Sequence, residues 1–89
     1  MLDMVTNISP AKLYMTFKNW TRIHIQVRDA STIYLSTGRK ALEVPGPGAI
    51  QGGLAITQTS GIVSLVWKDD LFIFGSNPQS LYDIETFDE

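Results

Sequence analysis

The chain contains no cysteine, which excludes disulfide staples and any metal centre built on Cys/His ligands. That absence fits a cytosolic or virion setting and is neutral for a secreted one. Histidine is scarce too: His24 stands alone, flanked at period-2 spacing by Arg22 and Gln26, where a solvated ring is expected. A Ser-His-Asp arrangement would need that His. No strand-turn-helix elbow presents a serine such as Ser36 to it, so acyl-transfer chemistry is not expected. Apolar positions never hold three- and four-residue spacing beyond a turn or two, so no helix of useful length is predicted. No apolar run approaches the ~18 residues of a membrane span. The opening MLDMVTNISPAK has neither a basic segment nor a long apolar one, and no signal peptide is read there. The triplets Asn7-Ile8-Ser9 and Asn19-Trp20-Thr21 are accordingly read as chance occurrences of the glycosylation pattern.

Acids outnumber bases, for a net charge of −2, which argues against a nucleic-acid binder that works by neutralising phosphates. The charge is uneven. Residues 1–45 hold Lys12, Lys18, Arg22, Arg28, Arg39 and Lys40 against Asp3, Asp29 and Glu43. Residues 46–89 hold Lys68 against Asp69, Asp70, Asp83, Glu85, Asp88 and Glu89. Either the two halves interleave in one sheet system and the charges mix, or the asymmetry steers copies together. With 89 residues the chain forms one domain that buries roughly 60–65% of its unfolded surface. Without disulfides, contacts between copies are the remaining reinforcement for so small a core.

What the sequence does contain is strand pattern. Leu13, Met15 and Phe17 alternate with Lys12, Tyr14, Thr16 and Lys18. Ile23, Ile25 and Val27 alternate with Arg22, His24, Gln26 and Arg28. Both are period-2 stretches with one wet face, as in antiparallel sheets. Ile33 and Leu35 continue the theme up to a turn at Ser36-Thr37-Gly38, and Leu42 with Val44 forms another short strand. Leu54 and Ile56 open the next, which Gly61 turns. Ile62–Trp67 and Leu71–Phe74 are apolar on both faces, with Lys68-Asp69-Asp70 read as a tight hairpin loop between them. A closing strand from Leu81 to Phe87 sets Tyr82 and Ile84 on one face and Leu81, Asp83, Glu85 and Phe87 on the other. Short runs cut by turn clusters at this spacing predict an all-β fold: a small antiparallel β-sandwich or jelly-roll-like barrel of about 7–8 short strands. Residues 1–89 form that single domain. Residues 1–11 are set apart as an N-terminal arm and 45–53 as a Gly/Pro loop.

The loop, PGPGAIQGG, cannot sit inside a ladder. Its glycine spacing fits neither a dinucleotide fingerprint nor a P-loop. It is a surface connection or an arm that touches a neighbour. The carboxylates are no better placed for chemistry. Asp69 and Asp70 are adjacent, Asp83 and Glu85 lie two apart on one face, and neither spacing matches a calcium loop or a glycosidase pair. No catalytic residue, metal or cofactor is expected. The aromatics carry more. Trp20 shares the parity of Arg22 and His24, so it lies on the wet face unless a bulge at Asn19 turns it inward. Phe87 shares a face with Asp83 and Glu85 unless the terminus frays. Trp67, in step with Val63 and Leu65, belongs to the core. Exposed large aromatics mark contacts with partners. Trp20, Arg22 and Phe87, with Pro45 and Pro47 of the loop, are the candidate interface residues.

From Arg22 to Glu85 the order RIHIQV, STIYLSTGRKAL, a Gly-containing loop, GGLAI, GIVSLVWKDDLFIFGS and LYDIE resembles small β-sandwich virion proteins of tailed bacteriophages. These are cement or decoration proteins of the head and similarly built auxiliary structural proteins. The resemblance implies a non-enzymatic protein of the virion. It would bind itself, as an oligomer and often a trimer, and the major capsid protein, and would stabilise the head shell with neither nucleic acid nor membrane as partner. The PGPG loop and the Met-rich start have no counterpart in that pattern, and no individual contact residue is carried over. A sugar- or ligand-binding module of a tail or larger assembly is the alternative, its exposed aromatics stacking on rings. A small hydrolase is the third and weakest reading. The doubly apolar strands decide between a self-contained molecule and one that leans on copies. If its own chain wraps both faces of Ile62–Phe74, the case for partners fails.

Overall fold

A computed structural model describes residues 2–7, 11–38 and 53–88. They form six strands: β1 (Leu2–Val5), β2 (Lys12–Val27), β3 (Thr32–Ser36), β4 (Leu54–Thr57), β5 (Val63–Gly75) and β6 (Ser80–Asp88). A single 3-10 turn, Gln58–Ser60, follows β4 and ends at Gly61, whose φ of 67° suits glycine. All neighbours pair antiparallel in one sheet of order β1-β6-β2-β5-β3-β4. The all-β antiparallel class expected from the strand pattern is therefore present, as one curled sheet rather than two facing ones. Leu42, Val44, Pro45 and Pro47 lie outside the described residues.

The curl closes the core. Beyond β1, the amide of Gly75 at the end of β5 donates to the Thr6 carbonyl at 3.1 Å. One sheet thereby supplies both walls around Ile23, Ile25, Ile33, Leu35, Ile56, Leu71, Ile73, Tyr82 and Ile84, all essentially inaccessible. These are the inward members of the period-2 stretches, and the β-branched residues among them are well suited to a pleated, half-buried surface. The overall extents of 40 × 25 × 17 Å match a body two layers thick along its shortest axis, given face-to-face spacing of about 10 Å.

Three features depart from the linear pattern. First, Lys68-Asp69-Asp70 is not a hairpin: β5 runs through it from Val63 to Gly75. Asp69 takes a positive φ of 68°, a conformation in which Asp is among the better-tolerated residues. Asp70 accepts a hydrogen bond from the Thr16 hydroxyl at 2.6 Å, and its carbonyl takes the Trp67 indole N–H at 2.9 Å. Second, the register of β2 on β5 slips at Tyr14, between Leu13↔Phe72 and Met15↔Leu71. One extra residue reverses the faces of a strand. Leu13, expected beside Phe17 in the core, accordingly stands opposite Phe72 and is 44% exposed, while Tyr14 packs against the core. Met15, also expected in the core, is 45% exposed although its partner Leu71 is buried. Third, Leu2–Val5, read as part of an arm, pairs with β6 from Leu2↔Asp83 to Val5↔Ser80.

Asp3 secures that terminal strand. Its Oδ2 accepts from Lys12 Nζ at 2.5 Å and from the buried Tyr82 hydroxyl at 2.7 Å, and its Oδ1 takes the Met4 amide at 2.8 Å. Partial burial pushes the Asp3 carboxyl upward, but these three donors and the Lys12 charge outweigh it and hold the group below its usual range. Burial, followed by the bond to that carboxylate, pushes the Tyr82 phenol well above its usual range. A depressed carboxyl stabilises the fold above its ordinary pKa near 4, and that contribution disappears as pH falls below it. Asp3→Asn is expected to cost about 1–2 kcal/mol at neutral pH and to flatten the loss of stability between about pH 5 and pH 3. Urea melts across that range measure it. An unchanged acid slope would mean that Asp3 does not hold β1.

Candidate functional interface

The outer surface of β5, β2 and β6 carries the candidate side chains in register. Arg22 stands opposite Val66 on one side and Phe87 on the other. His24 stands opposite Ser64 and Glu85, and Gln26 opposite Asp83. Beneath them Thr21, Ile23, Ile25, Val27, Ile84 and Tyr82 are buried, so the platform is anchored by the core itself.

Trp20 lies on this surface despite a bulge. Between Phe17↔Asp69 and Thr21↔Trp67, β2 spends three residues and β5 only Lys68. Two extra residues preserve parity, so Phe17 and Thr21 both face inward. A bulge at Asn19 was the feature expected to turn Trp20 into the core. It is present, stabilised by the Thr21 hydroxyl on the Asn19 carbonyl at 3.1 Å, yet Trp20 stays 58% exposed. Phe87 is not frayed. It is held in β6 opposite Arg22, its ring 4.9 Å from His24 at an interplanar angle of 55°, and remains 47% exposed. The structure thus brings Arg22 and Phe87 together as cross-strand neighbours, with Trp20 two residues along β2.

Two further members escaped the sequence reading. Val66 faces outward at 44% exposure and Ile62 at 68%. Parity flags Val66: with Val63, Leu65 and Trp67 packed on the core, the even positions of β5 must face out. The doubly apolar ribbon is therefore split. Leu71 and Ile73 are sealed inside, and Phe74 on the other face is covered by Ala11 with Tyr34 and Phe72 alongside. Ile62 and Val66 are left uncovered among the described residues.

Beside the aromatic end, a groove of about 180 Å³ is lined by His24, Gln26, Ile62, Asp83 and Glu85. The Arg22 guanidinium donates to Ser64 Oγ at 3.1 Å and that of Arg28 to Gln26 Oε1 at 3.2 Å. The charge asymmetry along the chain is half dissolved here. β2, from the basic half, lies between β5 and β6 of the acidic half, so the halves interleave. On this face they still form a basic column beside an acidic one. A second groove of about 280 Å³ lies at Ser31, Thr32, Thr57 and Thr59. Among the described residues no group of three His, Asp or Glu side chains is placed to hold a metal ion. No helix among them is long and apolar enough to cross a membrane.

No protein-family model matches this chain, and neither a curated protein nor a solved structure matches it.

Proposed function

We propose that this chain is a non-enzymatic structural protein of a tailed-phage virion, a cement or decoration protein that attaches to the head shell as an oligomer and stabilises it. The observation that supports this reading most is the uncovered aromatic end of the outer face. Trp20, Val66 and Phe87 stand on a rigid three-strand platform, rimmed by Arg22 and His24, with no catalytic set beside them. Aromatics and arginine in that arrangement are the residue types that dominate protein contacts. The mechanism is adhesive: apolar burial at about 25 cal/mol per Å² in each copy, multiplied over a shell by multivalent attachment.

Co-sedimentation with head shells assembled from a tailed-phage major capsid protein tests it. The wild-type chain is expected to pellet with shells and raise their melting temperature, and Trp20→Ala/Phe87→Ala to weaken binding at least about tenfold, about 1.4 kcal/mol. A chain that ignores such shells overturns the proposal. A second reading rests on the same rings. Exposed Trp20 and Phe87 beside Arg22 also suit stacking on sugars, as in a carbohydrate-binding module. Oligosaccharide-dependent fluorescence change in the wild type, lost in Trp20→Ala, would favour it.

A further inference from the structure

The second groove, of about 280 Å³, lies where the β2–β3 turn meets the end of β4. Thr32 and Thr57 are cross-strand partners there. Ser31 precedes the first, and Gln58 and Thr59 of the 3-10 turn follow the second. No charged or aromatic side chain lines this groove, and it shares no residue with the Trp20–Phe87 surface.

Its hydroxyls hold more protons than their neighbours accept. Ser31 is buried, at 4% exposure. Its Oγ accepts from Asn77 Nδ2 at 2.8 Å, while its own proton meets no acceptor among the described residues. Buried donors are ordinarily satisfied, so a proton left over beside a groove points to an acceptor supplied from outside. The Thr32 hydroxyl likewise has no partner among the described residues; it is the Thr32 amide that bonds, to Ser76 Oγ at 2.9 Å. Thr57 Oγ1 lies 2.9 Å from Thr59 Oγ1 and 3.2 Å from Ser60 Oγ. Two bonds among three hydroxyls use two protons and leave one over.

We propose that this groove binds a neutral polyhydroxylated ligand, a single sugar ring. Ring hydroxyls donate and accept at once, as do the Ser, Thr and Gln groups that line the groove. An anion does not suit it. No Lys or Arg is present to pair with one, and the Asp29 carboxylate, bonded to the Ser31 amide at 3.2 Å and the Leu81 amide at 3.1 Å, sets a negative charge nearby. An apolar ligand would leave the same donors unmet. The volume falls just below the ~300–1,000 Å³ of drug-sized ligand sites, which fits one ring rather than a chain of them. With a few neutral hydrogen bonds and no ring to stack on, the dissociation constant is expected in the ~1–10 mM range. The site is separate from the surface proposed for shell contact and stands or falls apart from it.

Amide proton–nitrogen correlation spectra of the full chain test the proposal. Glucose, galactose, mannose or N-acetylglucosamine is added to about 50 mM, above that range, with inorganic phosphate as the anionic control. At least one sugar is expected to give saturable shifts centred on Ser31, Thr32, Thr57, Gln58 and Thr59, and phosphate none. Thr32→Val keeps a β-branched side chain on its strand and should weaken that sugar at least about fivefold without disturbing the rest of the spectrum. Thr59→Val, at an exposed position, is the second variant and should act in the same direction. A groove that holds water alone gives no saturable shift with any of the four sugars, and that result overturns the proposal. So do shifts with phosphate only, sugar shifts centred on Trp20 and Phe87 instead, or two valine variants that bind like the wild type.

Discussion

Ile73→Ala is expected to cost about 3–4 kcal/mol, as for truncation of a fully buried aliphatic side chain whose site cannot collapse. Ile73 is wholly inaccessible and is held from both sides, opposite Lys12 of β2 and Leu35 of β3. The backbone around it is therefore pinned by two ladders and cannot close on the void. For a chain this size total stability is on the order of 4–13 kcal/mol, so the variant approaches the edge of folding. Its melting temperature should fall by about 15 °C or more, read by circular dichroism. A loss below about 1 kcal/mol would mean that the centre of the curled sheet is not packed as described. The same substitution at exposed Val66, Val66→Ala, should leave stability within about 0.5 kcal/mol, which separates core from contact surface.

The second large effect has an unexpected sign. Replacing a strand glycine by alanine ordinarily gains about 0.5–1 kcal/mol. At Gly75 the added Cβ would meet Ser80 Oγ, Ser80 Cβ at 2.7 Å and Val5 Cγ1 at 3.2 Å. Ser80 is fully buried and its hydroxyl is tied to Asn77, so it has nowhere to move. This is also where the Gly75 amide reaches Thr6, the bond that ties the segment after β1 to the end of β5. Gly75→Ala is therefore expected to cost about 2–3 kcal/mol through overpacking, measured by denaturant unfolding. Gly75→Ala/Ser80→Gly removes both Ser80 atoms and should recover part of the loss. A neutral or stabilising Gly75→Ala would show that the closure is looser than these contacts imply.

The contact surface is where pattern and structure diverge most. Arg22, His24 and Gln26 were legible as an outward row because Ile23, Ile25 and Val27 alternate with them without interruption. The outward Asp83, Glu85 and Phe87 were legible from Tyr82 and Ile84 for the same reason. Trp20 was ambiguous, since a bulge of one residue would have buried it and the bulge that forms holds two. Leu13 was misread because a single extra residue at Tyr14 reverses the strand ahead of it, and nothing in the local sequence announces it; that slip does not account for exposed Met15, whose partner Leu71 is buried. The Lys68-Asp69-Asp70 segment has turn composition, yet β2 supplies partners on both sides of it, from Thr21↔Trp67 to Thr16↔Asp70. Pairing partners supplied by a strand distant in sequence overrode the local turn signal.

By itself the sequence determined the class of structure and the direction of most side chains, because period-2 alternation is a local property of a pleated strand. It also placed Arg22, His24 and Gln26 on one outward face of β2, and offered Trp20 and Phe87 as outward unless a bulge or a frayed end intervened. Only the tertiary structure decided that one sheet curls around a single core and that two bulges reset the register of β2. It likewise decided that half of the doubly apolar ribbon is sealed while Ile62 and Val66 stay in the open. Register and curvature depend on strands far apart in the chain finding each other, and no window of neighbouring residues encodes that meeting.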